Sequence, residues 1–133
     1  MDITILSQLA VAVTVITVWT YRYDRETAWR GGYARSMKEE FDVYGLPAWV
    51  LSLTRVTKLS LAALLIVGVW MSEAAALGAA GMAAMMAVAV AMHVKVGDSA
   101  RKSVPAFLML VLCVVVLYGQ MGEVETVVSL AGE

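Results

Sequence analysis

Residues 53–70 read LTRVTKLSLAALLIVGVW, an apolar stretch interrupted by two cations. A helix needs roughly 20 such residues to cross a hydrocarbon layer about 30 Å thick. At a rise of roughly 1.5 Å per residue from Ala48, Arg55 lies about 10 Å and Lys58 about 15 Å along the helix, which puts Lys58 near the bilayer centre. Spaced three apart, the two share a face. A cation at the middle of a span costs about 2.5–3.5 kcal/mol on insertion scales, so that face is expected to turn toward the protein interior or a water-filled cleft.

The remainder of the chain has the same apolar character. Of 133 residues, 61% are hydrophobic and 16% charged, and mean hydropathy is +0.78, where soluble domains hold about 45–50% apolar residues. Apolar runs at about 3–20, 48–71, 74–94 and 104–121 predict an all-α, integral membrane four-helix bundle. The polar stretches between them are too short to bury a core of their own, so residues 1–133 are read as a single membrane domain.

Charge sets the expected orientation. The connection 21–47 carries Arg22, Arg25, Arg30, Arg35 and Lys38, and the connection 95–103 carries Lys95, Arg101 and Lys102. Asp2, Glu73, Glu123, Glu125 and Glu133 fall on the other side. Basic loops stay cytoplasmic, which predicts both termini outside and both basic loops inside, in a cell membrane of the bacterial inner-membrane kind. A cleaved signal peptide would want a basic start and a small-residue cleavage site. The first run instead opens with Asp2 and closes with the aromatic cluster VWTYRY, which suits an anchored span.

Within the first basic connection, Tyr33, Met37, Phe41 and Tyr44 recur at helical spacing opposite Arg35, Lys38, Glu39 and Asp42. This predicts a short helix over 33–44, lying on the cytoplasmic interface or capping the bundle. Gly45 ends it and Pro47 starts the next span. Gly97 and Pro105 punctuate the last connection in the same way. The third run carries an alanine every four residues, Ala75, Ala79, Ala83, Ala87 and Ala91, a small-residue face that lets another helix approach closely. Met82, Met85, Met86 and Met92 read as adaptable packing.

Few residues can carry chemistry. With Cys113 as the single cysteine and His93 as the single histidine, neither an internal disulfide nor a thiolate-held cluster is expected, nor a metal site built on several imidazoles. Cys113 reads as a small apolar filler. His93, near the cytoplasmic end of the third run, reads as an interhelical hydrogen bonder or as a group that moves a proton or meets a ligand head group. No Asp or Glu lies inside any predicted span. The counter-charge for Lys58 must come from Glu39, Glu40 or Asp42 folded inward, from an anionic ligand, or from loss of its proton on burial. Snorkelling to the interface accounts for Arg55 but poorly for Lys58. Lys58, Arg55 and His93 are therefore the candidate ligand-binding residues, and no residue is assigned a catalytic role.

Three pieces of the chain, FDVYGLPAWVLSLTRVTKLSLAALLIVGVW, the small-residue third run and AMHVKVGDSARKSVPAFLML, together resemble the DoxX-like family of small four-span membrane proteins, over roughly residues 4–120. The shared pattern is a GLP-W entry, a polar residue midway in the second span, and H-x-K-x-G-D ahead of a proline-led last span. Many relatives look to have an acidic residue where this chain has Lys58, and a glycine near Arg55. The family takes its name from a subunit of a membrane thiosulfate:quinone oxidoreductase, and other members are linked to quinones or redox stress. The resemblance thus implies a redox-associated subunit or a binder of a quinone-like or other amphipathic anionic ligand, with no cofactor assigned and a quinone as one candidate. The alternatives are a non-catalytic assembly protein, forming a homo-oligomer or joining a partner subunit, and a small-molecule transporter. The lipid bilayer, and no nucleic acid, is the expected surrounding.

Overall fold

The computed structural model describes the backbone of residues 2–131 and the side chains as far as Met121. Five helices follow one another: α1 (Ile3–Trp19), α2 (Met37–Val43), α3 (Ala48–Val67), α4 (Ser72–Lys95) and α5 (Ala100–Ala131), with no strand among the described residues. The long helices α3, α4 and α5 supply apolar stretches of 20, 24 and 22 residues, each enough to cross a membrane. At 17 residues, α1 rises about 25 Å, a little under the hydrocarbon thickness. In space α1 lies between α3 and α5, α3 against α4, and α4 against α5, while the short α2 packs on α3.

Local chemistry sets the ends. The Asp2 carboxylate accepts from the Thr4 and Ile5 amides at 2.7 and 3.1 Å, satisfying two otherwise orphan donors at the start of α1. Ser36 caps α2 by accepting from the Glu39 amide at 3.2 Å, so the helix begins at Met37 rather than at 33. Tyr33, expected on its apolar stripe, is 99% exposed, whereas Met37, Phe41 and Tyr44 are buried in the core. The stripe therefore starts one turn later than the spacing suggests. Gly45 takes φ +77°, and its amide and that of Leu46 return to Asp42 and Phe41, a Schellman turn that a Cβ would strain.

Close approach replaces hydrophobic drive where helices meet. A methyl added at Gly68 would stand 2.5 Å from Ala75 Cβ and 2.6 Å from its Cα, and one at Gly78 3.1 Å from the Leu61 carbonyl oxygen, so α3 and α4 meet nearly backbone to backbone. The alanine ladder holds only partway. Ala75 and Ala79 are fully buried, but Ala83 is half-buried and Ala87 and Ala91 are exposed. With 3.6 residues per turn, a strict step of four drifts by about 40° each time. The buried stripe of α4 instead runs through Ala75, Ala79, Met82, Met86 and His93.

Two ends differ from expectation. Pro105 does not open α5 but sits in its second turn, since the helix begins at Ala100. The helix also continues to Ala131, past the end of the fourth apolar run at about 121. The side chains of Glu123, Glu125 and Glu133 lie outside the described residues. At the opposite end of the helices from the basic connections, buried Gln8 of α1 donates to the Leu65 carbonyl at 2.9 Å, serving a carbonyl in the last turn of α3.

Candidate functional site

The buried stripe of α3 comprises Leu51, Lys58, Ala62 and Leu65, so Lys58 is carried into the core by the helix itself. It is 9% exposed, and its Nζ stands 5.0 Å from the centroid of the Trp19 ring at the end of α1. Among the described residues no carboxylate pairs with it. Of its three expected counter-charges, Glu40 is committed to Arg30 at 3.1 Å, and Glu39 accepts from the Arg35 amide at 2.6 Å. Asp42 forms no ion pair among the described residues. Arg55, one turn before Lys58, turns away: its guanidinium stacks 4.2 Å from the centroid of the Tyr23 ring. The two cations expected on a common face are thus held by two different aromatic rings.

Lys58 faces a cavity of ≈ 390 Å³ between the helices, within the range of about 300–1,000 Å³ usual for small-molecule sites. Its walls are largely apolar, with Val15, Val18, Phe41, Met86 and Met109 among them. His93 lines the same cavity and Arg55 does not. The methionines read as packing residues contribute here as well, since Met85, Met86 and Met92 all face the space.

One end of the cavity is closed by a polar cluster whose members come from distant parts of the chain. Arg30, 4% exposed, donates to Glu40 Oε2 at 3.1 Å, to the Arg25 carbonyl at 3.1 Å and to that of Arg22. It thereby knits the irregular segment 20–36 into a lid. Glu40 Oε1 accepts from the Gly31 amide at 3.1 Å and from the Tyr44 hydroxyl at 2.6 Å. A side chain at Gly31 would collide with the Tyr44 ring at 2.6 Å, so this glycine makes room for the phenol. Burial first, and then the Glu40 carboxylate, hold the Tyr44 phenol well above its usual pKa range.

The sequence H-x-K-x-G-D acquires a physical meaning here. At the end of α4, Gly97 takes φ +72°, and its amide and that of Asp98 turn back to Val94 and His93. That turn lays the Asp98 carboxylate on the imidazole, with His93 Nδ1 at 2.7 Å from Oδ2. The other carboxylate oxygen accepts from the Gly32 amide at 2.9 Å and lies 3.8 Å from Lys102 Nζ. Burial alone would raise the pKa of Asp98, but these partners outweigh it and hold the carboxyl below its ordinary range. Lys102 and Lys95 then clamp the lid, donating to the Gly32 carbonyl at 2.6 Å and the Tyr44 carbonyl at 2.9 Å. Among the described residues no group of three His, Cys, Asp or Glu could hold a metal, and Cys113 is buried in the core.

The sequence profile of the DoxX-like family matches residues 28–116, a region that contains Arg30, Glu40, Tyr44, Lys58, His93, Asp98 and Lys102. The chain belongs to the DoxX-like family. Neither the curated proteins nor the solved structures gave a match. As a DoxX-like protein with three helices long and apolar enough to span, it is a small integral membrane protein in contact with lipid. The structure brings Lys58 and His93 of the three predicted residues to one cavity and leaves Arg55 outside it; Glu40 was expected only as a counter-charge for Lys58, and Arg30, Tyr44 and Asp98 carried no predicted role at a site. The G-D pair directly after the histidine-bearing helix was the one available signal for Asp98.

Proposed function

We propose that this DoxX-like protein holds an amphipathic anionic or quinone-like molecule in the cavity between its helices, as a redox-associated membrane subunit or binding protein. In this reading all four long helices cross the bacterial inner membrane as a four-helix bundle, with both termini outside and the two basic connections on the cytoplasmic side. The observation that carries it is Lys58, buried without a carboxylate partner among the described residues and facing an apolar cavity of ligand size. An unpaired buried cation is costly, and an anion or a ring oxygen in the cavity supplies what the protein withholds. His93 and the Tyr44 hydroxyl offer polar contacts at the same space, while methionine, valine and aromatic side chains form the walls. Arg55, stacked on Tyr23, is left to orient the segment behind Lys58.

The test is solvent extraction and mass spectrometry of protein purified from its membrane, comparing wild type with Lys58→Met. A quinone or acidic lipid recovered near one per chain from wild type and lost from the variant supports binding. Equal recovery from both, together with a higher melting temperature of the variant, would mean that Lys58 serves no ligand.

A further inference from the structure

We propose that His93 Nε2 is a base that takes the proton of a weakly acidic hydroxyl on the cavity's ligand, a phenol or enol with an apolar body. This inference rests on the ligand-binding reading above and adds the chemical class of the ligand to it.

The argument is an inventory of hydrogens. A carboxylate only accepts, so the 2.7 Å contact between His93 and Asp98 places the imidazole hydrogen on Nδ1. Tyr44 has one hydroxyl hydrogen, and its 2.6 Å bond to Glu40 uses it. Glu40 has none to give, because it already receives Arg30, the Gly31 amide and the Tyr44 hydroxyl. The 3.5 Å separation of Tyr44 Oη and His93 Nε2 therefore has no hydrogen in it when the imidazole is neutral. Every other member of the cluster has its partners, and among the described residues of the cluster Nε2 keeps a free lone pair, on a side chain 6% exposed that lines the cavity. A buried acceptor left without a donor is costly, a cost relieved when a ligand hydroxyl meets it.

The charges around the site suit a transferred proton. Glu40 faces it from α2, Arg30 and Arg22 from the lid, Asp98 from the turn after α4, Lys102 from α5 and Lys58 from α3. In the step, the ligand O–H bond breaks and its electron pair stays on oxygen, while an N–H bond forms at Nε2. The imidazolium is held against Asp98, and the oxyanion shares the cavity with the unpaired Lys58 ammonium. Nothing is oxidised or reduced.

His93 is the single histidine of the chain, so nitrogen NMR of protein labelled with [15N]histidine reports this site alone. The probe is an alkyl nitrophenol, whose phenol and phenolate forms differ in visible absorbance, added to the protein in nanodiscs below the probe's own pKa. The expected result is retained probe in the phenolate form and an Nε2 resonance that moves from the lone-pair to the N–H position. In His93→Gln the ionised fraction of whatever probe is bound should fall by about tenfold or more, and Asp98→Asn should reduce it in the same direction. Probe that is retained as the phenol in wild type, or ionised equally in His93→Gln, overturns the inference while leaving ligand binding intact. Failure of wild type to retain the probe, or retention undiminished in Lys58→Met, defeats the ligand reading and this inference with it.

Discussion

At the scale of single residues, the buried pairing of Arg30 with Glu40 is one that is costly to break. Both are buried, and removing one partner of such a pair leaves the other as an uncompensated charge, typically a loss of about 3–5 kcal/mol. Arg30→Met is expected to lower the melting temperature more than any single surface substitution, and Arg30→Met combined with Glu40→Gln to recover part of that loss. Thermal unfolding monitored by circular dichroism in detergent checks both. Asp98 gives the pH counterpart. Its folded pKa lies below its ordinary value of 3.8, so it binds protons less readily folded than unfolded. Its contribution is fully present above that value and is lost as the pH falls through the folded one. The melting temperature is expected to drop below about pH 4, and the acid-induced drop to be smaller in Asp98→Asn.

Among the elements, α3 and α4 depend on glycine for their contact. Gly68→Ala introduces a methyl 2.5 Å from Ala75 Cβ and 2.6 Å from its backbone, where no flexible side chain can give way. A loss of about 1–3 kcal/mol is expected, read as a lower melting temperature, and the paired change Ala75→Gly should restore part of it. The helices themselves were legible from composition, because a run such as Ala48–Val67 has no other stable form in lipid. Lys58 was legible as an oddity for the same reason. The start of α2 differs from the predicted 33 because Ser36 followed by Glu39 marks the cap, while the aromatic spacing runs one turn ahead of it to Tyr33. The polar cluster was illegible for a deeper reason. Arg30, Glu40, Tyr44, His93 and Asp98 meet through long-range packing of a lid on the ends of α3 and α4, and no spacing within one helix encodes that meeting.

For the molecule as a whole, the polar cluster, the basic connections and the cavity end that the cluster closes lie together, while Gln8 and the α3–α4 turn mark the opposite end of the helices. If the basic end is cytoplasmic, a reporter fused after Glu133 is active only outside the cytoplasm, and a cysteine placed at Tyr33, which is 99% exposed, is labelled only from the inside. A C-terminal reporter active in the cytoplasm would reverse the topology. The central claim is that Lys58 is kept unpaired for a ligand. The most direct measurement is the electron density or cryo-electron-microscopy map of protein taken from its own membrane, inspected at Lys58 Nζ. The account predicts density of an elongated molecule in the cavity, with a polar head between Lys58 and His93. A cavity without such density, with the Lys58 ammonium paired to Glu40, would contradict it.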